Sequence, residues 1–186
     1  MTTPIERKSI PLEISCVVPG EYVHFDAHLV RVELRKLFIA KVPDEEMFDW
    51  IEKHIGCKTN TKTFIRTLTT ALIESLLEKE YGDSYETVEN FTRKLKRKAK
   101  LMLKYTKYEQ DLEVACISAL QTLCAQYQHP PGMLRKAYRA LCDTEVLIDD
   151  SFFEWEKSED SEDQPGKDVC LTCVKFFLNW LRNIGL

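Results

Sequence analysis

Cys170 and Cys173 form the one paired-cysteine motif of the chain, with the C-x-x-C spacing that zinc sites and thiol–disulfide enzymes use. A structural zinc site takes about four ligands, usually two such pairs, and the sequence has no second pair. His129 and Cys142 are the remaining candidate ligands, and they stand apart on other predicted elements. Because both cysteines of the motif match the apolar stripe of a helix, we expect core packing, with metal or redox chemistry as the alternative.

The histidines of the chain give little support for catalysis. None of the four lies in a nucleophile or zinc-protease motif, and the sequence has no glycine-rich phosphate loop. His129 stands before Pro130 and Pro131, which favours a residue at a helix end over a general base. We therefore predict a protein that is not an enzyme and that holds no cofactor and no metal.

Residues 93–107 hold eight lysines or arginines and no acidic residue. Such a run can lie against RNA phosphates, but RNA-binding surfaces usually interleave aromatic residues that stack on bases. Here only Tyr105 and Tyr108 stand nearby, and the charges lie opposite an apolar stripe, so a solvated helix face is the plainer interpretation. The residues that would contact RNA are Arg93, Lys94, Arg97, Lys98 and Lys100.

Residues 143–163 hold ten acidic residues and one lysine, and aromatic residues are interleaved with the acids. Dense carboxylates repel one another, and a basic partner would relieve that repulsion and be steered toward them. The sequence therefore predicts a partner-binding site here, with a merely solubilising surface as the alternative. Its residues are Asp143, Glu145, Asp149, Asp150, Glu154 and Glu156.

The elements that carry these residues are predicted to be helical. Only 6 glycines and 7 prolines occur in 186 residues, and from Asp26 onward apolar residues recur with a helical period. Short connections make neighbouring helices antiparallel, so we predict an all-α fold of seven or eight helices in stacked hairpins. The predicted helices are approximately 26–40, 44–56, 60–81, 85–106, 112–129, 131–141, 150–157 and 167–183.

The start of the chain differs from the rest. Residues 1–25 alternate with a period of two and contain prolines, which predicts an extended leader or linker before a domain over 26–184. No secretory signal is visible, and no apolar run approaches the roughly 18 residues of a membrane span. With seven cysteines on mostly apolar helical positions, we expect free thiols in a reducing, cytoplasmic compartment.

Short stretches spread in order over residues 28–182 resemble the C-terminal HEAT domain of eukaryotic translation initiation factor 4 gamma. The longest are FDWIE at 48–52, PPGMLR at 130–135, FFEWE at 152–156 and FFLNWL at 176–181. Shorter ones are KAKL at 98–101, ALQ at 119–121, ALCD at 140–143 and GKDV at 166–169. Each is weak alone, but the ordered set is specific.

The resemblance implies a HEAT-like α-α superhelix of the two-tryptophan type, shared with initiation factor five and the epsilon subunit of the guanine-nucleotide exchanger. Its two aromatic-acidic boxes would lie at 111–127 and 143–156, and we expect Trp155 and Trp180 to be largely buried. It implies a non-enzymatic scaffold domain in cap-dependent initiation that docks the basic segment of a MAP-kinase-interacting kinase. The alternative partner is a lysine-rich segment of another initiation factor.

Overall fold

The structure, a computed structural model, describes residues 25–77, 86–160 and 164–184. Over these ranges it contains nine α-helices, one short 3-10 helix and no β-strand, which confirms the all-α prediction. The predicted leader 1–25 lies, except for its last residue, outside the described residues. The helices are α1 (Ala27–Ile39), α2 (Asp44–His54), the 3-10 helix (Gly56–Thr59), α3 (Lys62–Leu77), α4 (Glu86–Arg97), α5 (Ala99–Thr106), α6 (Gln110–Gln126), α7 (Met133–Asp143), α8 (Asp149–Lys157) and α9 (Lys167–Ile184).

The single helix predicted over 85–106 is two helices, which is why the described residues contain one α-helix more than the sequence predicts. The chain breaks at Lys98, whose backbone has φ −97° and ψ 7° and whose N–H bonds to the carbonyl of Leu95 three residues back. That tight turn redirects the chain, and α5 starts at the next residue. Neither glycine nor proline marks the position, so the sequence carries no signal for the break.

Helix α6 is the centre of the domain. It packs against α3 on one side and α8 on another, and it also contacts α7 and α9. Twelve of its seventeen residues are buried, among them the polar Glu113, Ser118 and Gln121. Glu113 and Gln121 form hydrogen bonds with α8 and with the segments that precede α8 and α9, and these bonds help to attach both helices to α6.

The ends of the helices are fixed by capping hydrogen bonds, some of which could be predicted from the sequence. Asp26 caps α1, as predicted, by accepting hydrogen bonds from the N–H groups of His28 and Leu29 at 2.9 and 3.1 Å. At the end of α6 the backbone turns left-handed, and the N–H of His129 bonds to the carbonyl of Cys124 at 2.7 Å. Among the described helices, none is long and apolar enough to span a membrane.

Candidate partner-binding surfaces

Helix α8 carries most of the predicted acidic site, and buried contacts hold it in place. Phe152 and Trp155 are fully buried, and the N–H of Ile148, just before the helix, donates a 2.8 Å hydrogen bond to the buried carboxylate of Glu113. Asp149 lies in the first turn, where negative charge favours the positive end of the helix dipole. The two predicted aromatic-acidic boxes are thus α6 and the α8 region, packed on each other.

Trp155 shows how closely these two segments are joined. Its indole nitrogen donates a 2.8 Å hydrogen bond to the side-chain oxygen of Gln121, and the Gln121 amide donates to the carbonyl of Pro165 at 2.9 Å. The ring of Tyr138 meets the indole edge-on at 5.7 Å between centroids. The prediction that Trp155 is buried is confirmed. Sequence reasoning gave no role to Glu113 or Gln121, although polar residues inside an apolar stripe are a usable signal.

Three of the six predicted acidic residues bond to neighbouring groups of the domain. Asp143 accepts from Lys96 at 2.9 Å and Arg139 at 2.6 Å, and Glu156 pairs with Arg182. Asp149 accepts the thiol of Cys142 at 3.7 Å. The charges of Asp143 and Glu156 are therefore compensated inside the domain, whereas Asp149 accepts only a hydrogen bond from a neutral thiol.

The other three predicted acids, Glu145, Asp150 and Glu154, are exposed and form no ion pair with any described residue. We call them the acidic surface. Asp150 and Glu154 are four residues apart on α8 and therefore share one helix face, while Glu145 lies in the connection that precedes α8. Their charged groups face solvent, and the buried aromatic residues of α8 anchor that helix to the core.

Neighbouring charges shift two titrations beside this surface. Partial burial opposes ionisation of Asp143, but the hydrogen bonds from Lys96 and Arg139 outweigh it and hold the pKa of Asp143 below its ordinary value. Burial, and then the nearby Asp149 carboxylate, raises the pKa of the Cys142 thiol to about 11. Cys142 is thus a neutral hydrogen-bond donor at physiological pH.

The predicted RNA-contacting residues do not share one surface. Lys98 pairs with Asp44 of α2 at 2.6 Å, and Lys100 lies 3.5 Å from Glu45 of the same helix. Lys94 is partly buried. Arg93 and Arg97, in contrast, are exposed and line a groove on another side of α4. The break at Lys98 separates the two sets.

That groove, of about 810 Å³, lies between α4, α7 and α9, and we call it the basic groove. Its lining includes six lysine or arginine side chains and only two acidic ones. Phe176, also in its wall, is 78% exposed. Trp180 is partly buried there and carries the guanidinium of Arg139 at 3.8 Å from its ring centroid. The prediction that Trp180 is largely buried is confirmed in part: the ring packs against the core but is less covered than that of Trp155, because α9 turns it toward the groove. The basic side chains are Arg93, Lys96, Arg97, Arg135, Lys136 and Arg139.

The paired cysteines of α9 separate in the structure. Cys170 is fully buried, whereas Cys173 is exposed, so the expectation that both pack in the core is wrong for Cys173. The neighbours of Cys170 are instead Cys124 and His129, whose Nδ1 lies 3.9 Å from the Cys170 sulfur. His129 is thus not isolated. A hydrogen bond from the Cys170 thiol lowers the pKa of Cys124 and raises that of Cys170.

The sequence of these helices matches a known protein family. Residues 112–184, which are α6 to α9, match the model of the W2 domain of eIF4-gamma/eIF5/eIF2-epsilon. Human eukaryotic translation initiation factor 4 gamma 3 is 34% identical over 151 residues, which cover 80% of this chain and 9% of that protein. Mouse eukaryotic translation initiation factor 4 gamma 1 is 34% identical over 155 residues, covering 82% of this chain and 9% of that protein.

A more distant relative, mouse eukaryotic translation initiation factor 4 gamma 2, is 25% identical over 180 residues, covering 89% of this chain and 20% of that protein. The chain thus spans a small part of the length of each of these relatives. The match to the W2 model covers the helices that carry Gln121, Trp155 and the acidic surface. The chain belongs to the W2 family of eIF4-gamma, eIF5 and eIF2-epsilon, as a C-terminal domain of the eIF4-gamma type.

Proposed function

We propose that this chain is a non-enzymatic protein-binding domain of a translation-initiation scaffold, and that its acidic surface docks the basic segment of a MAP-kinase-interacting kinase. The observation that carries the proposal is that Glu145, Asp150 and Glu154 are exposed and lack ion pairs with any described residue, while the neighbouring Asp143 and Glu156 are paired. The relatives that support the scaffold role are all eukaryotic translation initiation factor 4 gamma proteins.

A rigid acidic helix suits a lysine- or arginine-rich peptide for two physical reasons. Its uncompensated charges attract a basic segment over roughly 8–10 Å at physiological salt and so raise the association rate. The fixed α8 backbone, anchored by Phe152 and Trp155, leaves the peptide as the main partner that must lose conformational freedom. A lysine-rich segment of another initiation factor would meet the same charges, and it is the alternative occupant.

A charge-reversal experiment tests the proposal on the intact chain. The variant Glu145→Lys/Glu154→Lys should weaken binding of the kinase's basic peptide, mainly by slowing association, with a smaller difference at high salt. The matched control is Glu46→Lys/Asp49→Lys, which changes the net charge equally at exposed positions of α2. Unchanged affinity in the first variant, or an equal loss in both, would overturn the proposal. Competition with a lysine-rich initiation-factor peptide identifies the preferred occupant.

RNA contact is a second candidate function, favoured by the exposed Phe176 among the arginines of the basic groove. Stacking on an aromatic ring combined with phosphate pairing is the usual basis of single-strand binding. Arg97→Glu should reduce retention on single-stranded RNA more than Lys100→Glu does, because Lys100 faces Glu45 outside the groove. Equal effects, or no retention of the unmodified chain at physiological salt, would dismiss it.

A further inference from the structure

Cys124, His129 and Cys170, which we call the Cys–His cluster, bring three metal-ligating atoms together where α6 ends and α9 begins. These ligand atoms all lie within 4.8 Å of one another. The Cys170 sulfur is 3.9 Å from Nδ1 of His129. Both cysteines are buried and the histidine is partly exposed. The three residues are separated by up to 46 positions in the chain, so the fold and not a local motif assembles them.

The contact between the two helix ends that creates the cluster is unusually close. Gly166 precedes α9 with φ +73°, and a Cβ atom added to it would stand 2.7 Å from Cβ of Ala125 in α6. The same added atom would lie 3.6 Å from the ring of His129. A side chain at this position would therefore push α9 away from α6, and with it Cys170 away from the other two ligands.

From this geometry we infer that the Cys–His cluster is a binding site for a thiophilic divalent cation of the zinc type, with a solvent molecule as fourth ligand. Tetrahedral zinc has Zn–S bonds of about 2.3 Å and Zn–N bonds of about 2.1 Å, which separate sulfur from nitrogen by about 3.6 Å. The observed 3.9 Å is close to that value, and the widest pair, at no more than 4.8 Å, would have to close by about 1 Å or less. The partly exposed His129 leaves the open side for the cation and solvent to enter.

The cation and its protein ligands would together carry no net charge, which is what a buried site requires. Zinc displaces one proton from each thiol, and the two protons go to solvent, so two thiolates, a neutral imidazole and Zn²⁺ have no net charge. The cation would lie at the C-terminal end of the 17-residue α6, whose last turn has no basic residue to compensate its negative dipole end.

Metal titration of the intact, reduced chain tests the site. Zinc in competition with a chromophoric chelator should show one tight site, and cobalt(II) should give a thiolate-to-metal charge-transfer band. Cys124→Ala, Cys170→Ala and His129→Asn should each lower the zinc affinity by about 100-fold or more. Asparagine is chosen because it tolerates the left-handed backbone of His129. Zinc should raise the melting temperature of the unmodified chain more than that of the variants.

Two alanine variants serve as controls. Cys116→Ala removes an equally buried thiol outside the cluster, and Cys173→Ala removes the exposed partner in the C-x-x-C motif. Both should keep the zinc affinity and the cobalt band. The inference is overturned if the unmodified chain binds no zinc, or if Cys173→Ala abolishes binding while Cys124→Ala leaves it. It is equally overturned if the unreduced chain is two hydrogens lighter, carries a Cys124–Cys170 disulfide and binds no metal after reduction.

Discussion

The indole nitrogen of Trp155 and the side-chain oxygen of Gln121 share a 2.8 Å hydrogen bond in a place where both residues are fully buried. The same amide donates to the carbonyl of Pro165, in the segment that leads into α9. One buried polar side chain of α6 therefore ties the acidic helix α8 to the start of the last helix. This hydrogen bond and apolar packing together anchor the helix that carries most of the acidic surface.

The first prediction concerns a substitution that removes the hydrogen bonds of Gln121 and keeps the volume of its side chain. Gln121→Leu should lower the free energy of unfolding by about 1–3 kcal/mol, because it leaves the buried N–H of Trp155 and the Pro165 carbonyl without their partner. Gln126→Leu, an exposed position of the same helix, should change stability by less than about 0.5 kcal/mol. Urea unfolding measures both. Equal effects would mean that the two Gln121 hydrogen bonds add nothing to the stability of the fold.

A second prediction concerns the two tryptophans that the sequence treats alike. Trp155→Ala should cost about 3–5 kcal/mol, since the ring is fully buried and its loss leaves a cavity. Trp180→Ala should cost about 1–2 kcal/mol, because only the covered part of its ring loses contacts. Thermal or urea unfolding of the two variants checks the order. A larger loss from Trp180→Ala would contradict the assignment of Trp180 to the wall of the basic groove.

Most of the fold could be predicted because helix periodicity is a local property of the sequence. The apolar stripe through Leu112, Cys116 and Leu123 predicted α6, and the aromatic residues of FFEWE predicted a short helix at α8. The break at Lys98 could not be predicted, since no glycine or proline marks it. Whether Trp180 faces the core or a groove depends on how α9 sits against α7, which periodicity does not record.

The candidate site was predictable in composition but not in pairing. The density of acids after residue 143 predicted an acidic surface, yet which carboxylates are neutralised depends on Lys96, Arg139 and Arg182 in other helices. The Cys–His cluster was missed for the same reason. The C-x-x-C spacing pointed to Cys173, whereas the actual neighbours of Cys170 are distant in the chain and meet only after folding.

The third prediction is an order of thiol reactivity in the native chain. Cys57 and Cys173 are exposed and should be alkylated before the buried thiols of the described residues. Cys116 and Cys142 should react far more slowly, because burial raises the pKa of Cys116 to about 12 and that of Cys142 to about 11, and the thiolate is the reactive form. A short iodoacetamide pulse followed by peptide mass spectrometry gives the order. Early labelling of Cys116 would show that the core around α6 opens readily.

The fourth prediction is a dependence of stability on pH that belongs to Asp143. The hydrogen bonds from Lys96 and Arg139 lower its pKa in the folded state, against the opposing effect of burial, relative to the ordinary value of 3.8. A carboxylate with a lowered folded pKa stabilises the fold above its unfolded pKa and loses that contribution as pH falls through the folded pKa. Asp143→Asn should therefore destabilise the chain at neutral pH, and the difference should shrink below about pH 4.

A background that lacks the two donors separates this ion-pair effect from a simple packing change. In Lys96→Gln/Arg139→Gln, the further change Asp143→Asn should cost less at neutral pH, and its cost should no longer fall between pH 7 and 3, because only the burial that opposes ionisation remains. Urea unfolding across this range gives the four free energies at each pH. If the cost of Asp143→Asn has the same pH dependence in both backgrounds, the lowered pKa of Asp143 does not come from Lys96 and Arg139.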